Sequence, residues 1–162
     1  MEASIPRDHG EGAKLVPGAS ELLQHSIEAN ARWAIVTSGS APLARGWLDR
    51  FGLPVPQTLV TAESVSLGKP NPAGYELARA ELGRGQPATA SVAALSVVFE
   101  DSPAGIRAGK AAGCTVVGLV TSHDIITVRA AGPDWVVYDL SSVRVVSSVD
   151  RLLTLELDCI AE

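Results

Sequence analysis

Apolar residues follow two alternating patterns along this chain. Apolar side chains three or four positions apart, such as Leu22, Leu23 and Ile27, predict amphipathic helices. Short continuous apolar runs predict strands with both faces covered, which is typical of parallel strands packed between helices. The helices are predicted at residues 19–30, 42–51, 73–82, 103–113 and 124–131. The strands are predicted at residues 33–37, 58–62, 92–99, 115–121 and 135–138, with a terminal β-hairpin formed by 143–149 and 152–157.

This alternation of strands and helices predicts the fold class. It indicates an α/β fold, a Rossmann-like three-layer sandwich with a mainly parallel sheet, in which ligands bind beyond the carboxyl ends of the strands. We expect one α/β core at residues 17–162. Residues 1–16 mix charges with glycine without a clear period, which predicts a loop or loosely held arm. Residues 83–91 predict a second loop, rich in Gly, Pro and Thr.

Composition narrows the classes of partner. The chain has 162 residues, 46% of them hydrophobic, which is enough for one compact domain. A net charge of -5 without a basic cluster argues against nucleic acid or a membrane surface as the partner. Cys114 and Cys159 form neither a disulfide framework nor a zinc motif, and no apolar run is long enough to cross a bilayer. We expect a cytoplasmic protein that binds a small molecule.

Three polar segments follow predicted strands. Residues 37–40 combine hydroxyls with a glycine, which suits a phosphate or carboxylate but equally suits a helix cap. Residues 68–72 hold a lysine between turn-forming residues, which predicts either a fixed cation for an anionic substrate or a solvated surface charge. Residues 100–101 are paired acids, which could bind Mg²⁺, although Asp101 could instead cap the following helix.

The helix that follows these acids is built from small residues. Gly105 and Gly109 lie four positions apart, so one helix face is predicted to approach the sheet closely. Arg107 and Lys110 are expected on its solvent side. His123 follows a predicted strand end and is therefore a candidate acid–base residue.

Taken in order, these segments resemble a known family. The segments WAIVTSGS, LGKPNP and VVFEDSPAGIRAGKAAGCTVVGLVTSHD resemble the haloacid dehalogenase-like hydrolases, and within them the glycerol-3-phosphatase and 2-deoxyglucose-6-phosphatase group. The resemblance covers roughly residues 12–140. It implies a core of that family acting on a small sugar or polyol phosphate with Mg²⁺.

The resemblance also implies roles for individual residues. Ser38, with Thr37 and Gly39 beside it, falls at the segment that binds the transferring phosphoryl group. Lys69 falls at the lysine that neutralises the phosphate and the nucleophile. Asp101 falls at a Mg²⁺ ligand. Glu100 falls at the neighbouring acid, which assists that ligand either through water or through Lys69.

One motif of the family is absent from this sequence. Members carry a strand ending in Asp-x-Asp, whose first acid is the nucleophile and whose second is the general acid/base, and this sequence has no Asp-x-Asp. The cap domain is also absent, unless residues 1–16 are its remnant. We therefore expect weak Mg²⁺ binding and no normal aspartyl-phosphate chemistry by this chain alone. We also expect a gap in the sheet between the strands that end at Ser38 and Glu100, open to a partner strand or a second copy.

Two other functions remain open from the sequence. The pocket could serve acid–base chemistry on a metabolite without phosphate, using Lys69, Glu100, Asp101 and His123 without a metal. Alternatively, the chain could be a non-catalytic binding or regulatory module that uses the sheet gap as an interface.

Overall fold

The computed structural model describes residues 4–83 and 96–161. Its helices are α1 Ile5–Asp8, α2 Ala19–Glu28, α3 Ala41–Arg50, α4 Ala73–Gly83, α5 Pro103–Ala111 and α6 Ile125–Ala130. Its strands are β1 Ala34–Val36, β2 Thr58–Val60, β3 Val97–Glu100, β4 Thr115–Leu119, β5 Trp135–Val137, β6 Val143–Val149 and β7 Leu152–Leu157.

The structure confirms the alternation of helices and strands, with shorter strands than the apolar runs predict. The run predicted as a strand at 33–37 forms a strand only over Ala34–Val36. The part of the strand predicted at 92–99 that precedes Ser96 lies outside the described residues, as does the loop predicted at 83–91 apart from Gly83, which instead ends α4. The predicted hairpin is confirmed, with β6 antiparallel to β7.

The prediction of a loop over residues 1–16 is wrong at α1. Pro6 lies at the start of this single helical turn, where its fixed φ favours the helix and its missing N–H is not needed. Pro6 is also fully buried, and α1 packs against α3. Burial of this one side chain therefore gives the segment a structure that the charged sequence around it does not predict.

The parallel strands form two separate sheets within residues 4–83 and 96–161. β1 pairs with β2, and β3 pairs with β4, which in turn pairs with β5; all these pairs are parallel. α4 packs against β1, β2 and α5, so it connects the smaller sheet to the larger one.

The edges of β1 and β3 that face away from their paired strands carry backbone groups that bond to no other strand among the described residues. The Thr37 N–H donates to Val60 O, so the neighbouring Val36 N–H and C=O point to the opposite side of β1. The Thr115 N–H donates to Ser96 O. By the same alternation, the backbone N–H and C=O of Phe99 point away from β4. Among the described residues, no strand pairs with either edge. Within the described residues, a gap therefore lies between β1 and β3, where the sequence predicts one.

Burial differs between the two sheets. β4 lies at the centre of the core, with Val116 and Val117 fully buried. β1 is only half-buried along its length, so the prediction that its continuous apolar run has both faces covered is wrong. The reason is that β1 has one strand neighbour, whereas β4 has two.

Helix α5 packs as closely on the sheet as its small residues predict. A Cβ at Gly109 would lie 2.9 Å from Val116 Cγ2 and 3.4 Å from Val98 Cγ1, so only glycine fits there without a shift. Arg107 and Lys110 are exposed, as expected, but Lys110 Nζ also lies 2.6 Å from Asp134 Oδ1. None of the helices in the described part of the chain is long and apolar enough to cross a membrane.

Candidate functional site

A cavity of about 200 Å³ opens at the carboxyl ends of β1 and β2. Thr37 and Ser38 line it from the end of β1, Lys69 and Asn71 line it from the segment that leads into α4, and Tyr75 lines it from α4 itself. The structure therefore brings the first two predicted polar segments to one place, as expected for parallel strands.

The Thr37–Ser38–Gly39 turn is fixed by local hydrogen bonds. The Gly39 N–H donates to Thr37 Oγ1 at 3.0 Å, and Gly39 O accepts from the Ala62 N–H at 3.0 Å. Ser40, not Ser38, caps α3 by accepting from the Leu43 N–H at 3.4 Å. The exposed Ser38 hydroxyl has no hydrogen-bond partner among the described residues. The segment therefore contains both a helix cap and an uncommitted hydroxyl.

Glu63 connects the loop after β2 to the start of α3, beside this turn, by hydrogen bonds. Its Oε2 accepts from the Thr61 hydroxyl at 2.7 Å and from the Ala41 N–H, in the first turn of α3, at 3.2 Å. The Thr61 hydroxyl is the main reason that the pKa of Glu63 lies below its usual value, and the Ala41 N–H adds to this effect. Sequence reasoning did not single out Glu63, because nothing in its local pattern shows that it reaches a helix 22 residues away.

Lys69 is held inside the protein rather than in solvent. Its side chain is 14% exposed, and Nζ donates to Val36 O at 3.1 Å and to Glu100 Oε1. The Lys69–Pro70 peptide bond is cis. The interpretation of Lys69 as a solvated surface charge is therefore wrong. Its ammonium instead bridges the carboxyl ends of β1 and β3 across the gap.

Every oxygen of the Glu100 carboxylate accepts protein donors. Glu100 is 7% exposed, and Oε1 accepts from Lys69 and from the Tyr75 hydroxyl at 2.7 Å. Oε2 accepts from the Ser102 N–H at 3.1 Å and from the Ser102 hydroxyl at 3.0 Å. Of the two roles expected for Glu100, the geometry favours the one exerted through Lys69.

Tyr75 and Ser102 were missed by sequence reasoning. Ser102 was seen only as the start of a helix, and it is indeed the N-cap of α5, accepting from the Gly105 N–H at 3.0 Å. Asp101 is therefore not the cap, and that interpretation is wrong. The signal for Tyr75 was its place in the first turn of the helix after Lys69, which sets it on the same end of the sheet.

Asp101 and His123 meet at the ends of β3 and β4. Asp101 Oδ2 accepts from the Ser122 hydroxyl and lies 3.4 Å from Thr121 Oγ1. The exposed His123 places Nδ1 3.2 Å from the backbone oxygen of Asp101, not from its carboxylate. The third predicted polar segment therefore divides in two, with Glu100 directed to Lys69 and Asp101 directed to the loop after β4.

The described residues do not by themselves make a Mg²⁺ site. Both oxygens of Glu100 are engaged, and Asp101 retains one carboxylate oxygen without a hydrogen-bond donor among these residues. No group of three or more His, Cys, Asp or Glu side chains in residues 4–83 and 96–161 is placed to hold a metal ion. Because Mg²⁺ requires six oxygen ligands in a near-ideal octahedron, this set needs ligands from elsewhere.

Comparison with known proteins decides the family. The haloacid dehalogenase-like hydrolase family matches residues 8–113. The chain belongs to this family. It is 39% identical over 151 residues to glycerol-1-phosphate phosphohydrolase 2 of Saccharomyces cerevisiae, covering 90% of this chain and 58% of that protein. It is 36% identical over 169 residues to 2-deoxyglucose-6-phosphate phosphatase 1 of the same yeast, covering 98% of this chain and 68% of that protein.

A solved structure has a similar fold. CbbY from Rhodobacter sphaeroides, crystallised in complex with phosphate, superposes with a TM-score of 0.65 at 27% identity. The match covers 85% of this chain and 58% of that one. The predicted resemblance and the Rossmann-like α/β fold class are confirmed. The chain spans about three-fifths of the glycerol-1-phosphate phosphohydrolase that it matches.

Proposed function

We propose that this chain binds the phosphate group of a small sugar or polyol phosphate at the carboxyl ends of β1 and β2. The observation that carries the proposal is the Lys69 ammonium, largely removed from solvent and fixed between Val36 O and Glu100 beside the Thr37–Ser38 turn. The names of the relatives supply the substrate class, since they act on glycerol 1-phosphate and 2-deoxyglucose 6-phosphate.

The proposed roles follow from the free donors. Lys69 has three N–H donors, two of which are used within the described residues, so the third can donate to an anion. The Ser38 hydroxyl and the Ser38 N–H supply neutral donors, because the Thr37 and Gly39 N–H groups already donate to Val60 O and Thr37 Oγ1. Glu100 holds Lys69 in place. Asp101 and His123 lie at the neighbouring strand ends, and we retain them as candidates for a metal ligand and an acid–base residue.

We propose that this chain alone binds the phosphate ester but does not transfer its phosphoryl group. Phosphoryl transfer by this family requires a carboxylate aligned with phosphorus, and this sequence has no Asp-x-Asp segment. We propose that the nucleophile comes from outside these 162 residues, and that these residues alone bind Mg²⁺ weakly. The use of Mg²⁺ is what the resemblance to this family implies. A reducing cytoplasmic compartment is part of the proposal, which the unpaired Cys114 and Cys159 support.

Titration of the chain with phosphate esters tests the proposal. We expect ³¹P NMR or calorimetry to detect binding of glycerol 1-phosphate and 2-deoxyglucose 6-phosphate to the chain. Calorimetry should detect no binding of glycerol or 2-deoxyglucose. Lys69→Met should weaken binding at least about tenfold, since charge-assisted hydrogen bonds contribute about 1.5–3 kcal/mol. Lys14→Met is the matched control, because Lys14 is exposed and lies in the segment before α2.

A second variant separates a loss of binding from a loss of folding. Lys69→Met leaves the buried Glu100 without its cation, which destabilises the fold as well as the site. Ser38→Ala removes an exposed hydroxyl without a structural partner among the described residues, so it should weaken ester binding while leaving the melting temperature unchanged. Equal binding of esters and neutral polyols, or full binding by both variants, contradicts the proposal.

The gap between the sheets supports a second part of the proposal. The backbone groups of Val36 and Phe99 face the gap, and exposed strand edges pair readily with an extended segment. We propose that a strand of another chain inserts there, parallel to β1 and β3. Light scattering over a range of concentrations, with mass spectrometry of copurified proteins, should show a complex. A monomer at every concentration with no copurified protein contradicts this part.

A further inference from the structure

Tyr75 contacts both members of the buried ion pair. It lies in the first turns of α4, where Asn71 Oδ1 accepts from the Ala73 N–H at 3.0 Å, and its side chain is 7% exposed. Its hydroxyl donates to Glu100 Oε1 at 2.7 Å. Its ring centroid lies 5.1 Å from Lys69 Nζ, within the range of a cation–π contact.

These two contacts limit the positions that the ion pair can adopt. Lys69 and Tyr75 donate to the same oxygen of Glu100, while Ser102 occupies the other oxygen. A buried ion pair is stable only when its remaining hydrogen-bonding positions are satisfied, and the Tyr75 hydroxyl satisfies one of them. Burial and the nearby Glu100 carboxylate raise the pKa of Tyr75, so the phenol stays a donor throughout the working pH range.

The Tyr75 ring lies on one side of the Lys69 ammonium. Lys69 Nζ has the Val36 carbonyl and the Glu100 carboxylate as acceptors and the Tyr75 ring as a further neighbour. Both Lys69 and Tyr75 line the cavity with Thr37 and Ser38. A free lysine side chain samples many rotamers, so each fixed neighbour reduces the orientations open to the remaining N–H donor.

We propose that Tyr75 is a positioning residue, which holds Glu100 Oε1 through its hydroxyl and underlies Lys69 Nζ through its ring, so that the free donor of Lys69 faces the bound anion. This inference rests on the proposed function for its ligand. It does not make Tyr75 a catalytic residue, because Tyr75 acts through Lys69 and Glu100.

Two substitutions separate the hydroxyl from the ring. Tyr75→Phe keeps the ring and removes the donor to Glu100, whereas Tyr75→Leu removes both. Tyr138→Phe is the matched control, because Tyr138 is 65% exposed and lies just after β5. The probes are inorganic phosphate, titrated by calorimetry, and the ¹⁵Nζ resonance of Lys69 in ¹⁵N-labelled protein without phosphate.

We expect Tyr75→Phe to shift the Lys69 resonance and to weaken phosphate binding about fivefold to tenfold, less than the loss of a direct hydrogen bond to a charged group, because Tyr75 acts on the anion only through Lys69. Tyr75→Leu should have a larger effect on both readouts, and Tyr138→Phe should change neither. Because Tyr75→Phe preserves the buried ring, it decides the question even if Tyr75→Leu does not fold.

An unchanged Lys69 resonance in Tyr75→Phe overturns the inference, as does unchanged phosphate affinity in that variant. If the unsubstituted chain fails to bind phosphate, the proposed function is overturned. In that case the resonance of Lys69 in the phosphate-free protein still decides whether Tyr75 positions it, so the two failures are distinguishable.

Discussion

The Glu100 carboxylate lies in space that only a glycine leaves open. A Cβ added to Gly105 would lie 2.0 Å from both Cδ and Oε1 of Glu100. The carboxylate cannot move away freely, since Lys69, Tyr75 and Ser102 all donate to it. The small residues of α5 therefore serve two purposes: Gly109 lets the helix approach β4, and Gly105 makes room for the side chain that holds Lys69.

Gly105→Ala should disturb the site as well as the fold. Insertion of a methyl group into a packed position costs about 1–3 kcal/mol, which outweighs the gain of about 1 kcal/mol in helix propensity. The displaced carboxylate should release Lys69 and lower phosphate affinity. Gly109→Ala is the control, because its Cβ meets Val116 and Val98 instead. Denaturant unfolding and phosphate titration of both variants check this; equal loss of affinity in the two would contradict it.

Asp134 should make the free energy of unfolding depend on pH in the acid range. Burial acts to raise its pKa, but hydrogen bonds from Lys110 and from the Val116 N–H outweigh burial and hold the pKa below its usual value. A lowered pKa in the folded state contributes stability above the unfolded-state pKa of about 3.9, and that contribution is lost as the pH falls through the folded-state pKa.

The free energy of unfolding of Asp134→Asn, measured from pH 7 down to pH 2, checks this expectation. The variant should be less stable than the unsubstituted chain at neutral pH, and the difference should shrink below about pH 4. Asp49→Asn, on the exposed surface of α3, should show no such convergence. A difference that stays constant across the acid range would mean that Asp134 stabilises the fold by shape and not by charge.

Individual residues show where sequence reasoning succeeds and where it stops. The Thr37–Ser38 turn, Lys69 and the two acids were identified because each follows a strand or lies in a rigid turn, which are local signals. The contact of Lys69 with Glu100 joins residues 31 positions apart, and that of Tyr75 with Glu100 joins residues 25 apart. Local periodicity carries no information about such pairs, so the composition of the turn alone left Lys69 open between a fixed cation and a solvated surface charge.

At the scale of elements, short local signals mark where helices begin and end. Ser40, Ser102 and Asp124 each accept from a backbone N–H three residues on, and each begins a helix near the position that the sequence predicts. Gly113 follows the C-cap of α5, Ala112, and has a φ of +76°, which glycine adopts without steric cost. These signals act within one turn, which explains why helix boundaries were predicted well.

Two of these caps provide a matched pair of substitutions. Ser102→Ala should cost about 1–2 kcal/mol of stability, because it removes the cap of α5 and also a donor to Glu100 Oε2. Ser40→Ala should cost less, since its cap to Leu43 is longer, at 3.4 Å, and it has no contact with Glu100. Thermal unfolding measures both. The expectation is contradicted if Ser40→Ala costs as much as Ser102→Ala.

At the scale of the whole molecule, the two parallel sheets are connected by side chains and a helix. Lys69 joins Val36 to Glu100, and α4 packs on β1, β2 and α5. The alternation of strands and helices predicted the α/β class, because it depends only on local period. The exposure of β1 was not predicted, because it depends on how many strands are its neighbours, which an apolar run does not show.

Hydrogen exchange should distinguish the two sides of the strands at the gap. Val36 and Phe99 point their N–H groups away from β2 and β4, whereas the Val98 and Val117 N–H groups lie between paired strands. Unpaired amides exchange at rates set by local opening, and paired core amides exchange only with larger unfolding. We therefore expect the Val36 and Phe99 amides of the monomer to exchange at least about tenfold faster than the Val98 and Val117 amides. A strand inserted from another chain should slow the first two and leave the others unchanged. Equal protection of all four amides at low protein concentration would mean that the two edges are already covered within the chain, and it would exclude the gap as a docking surface.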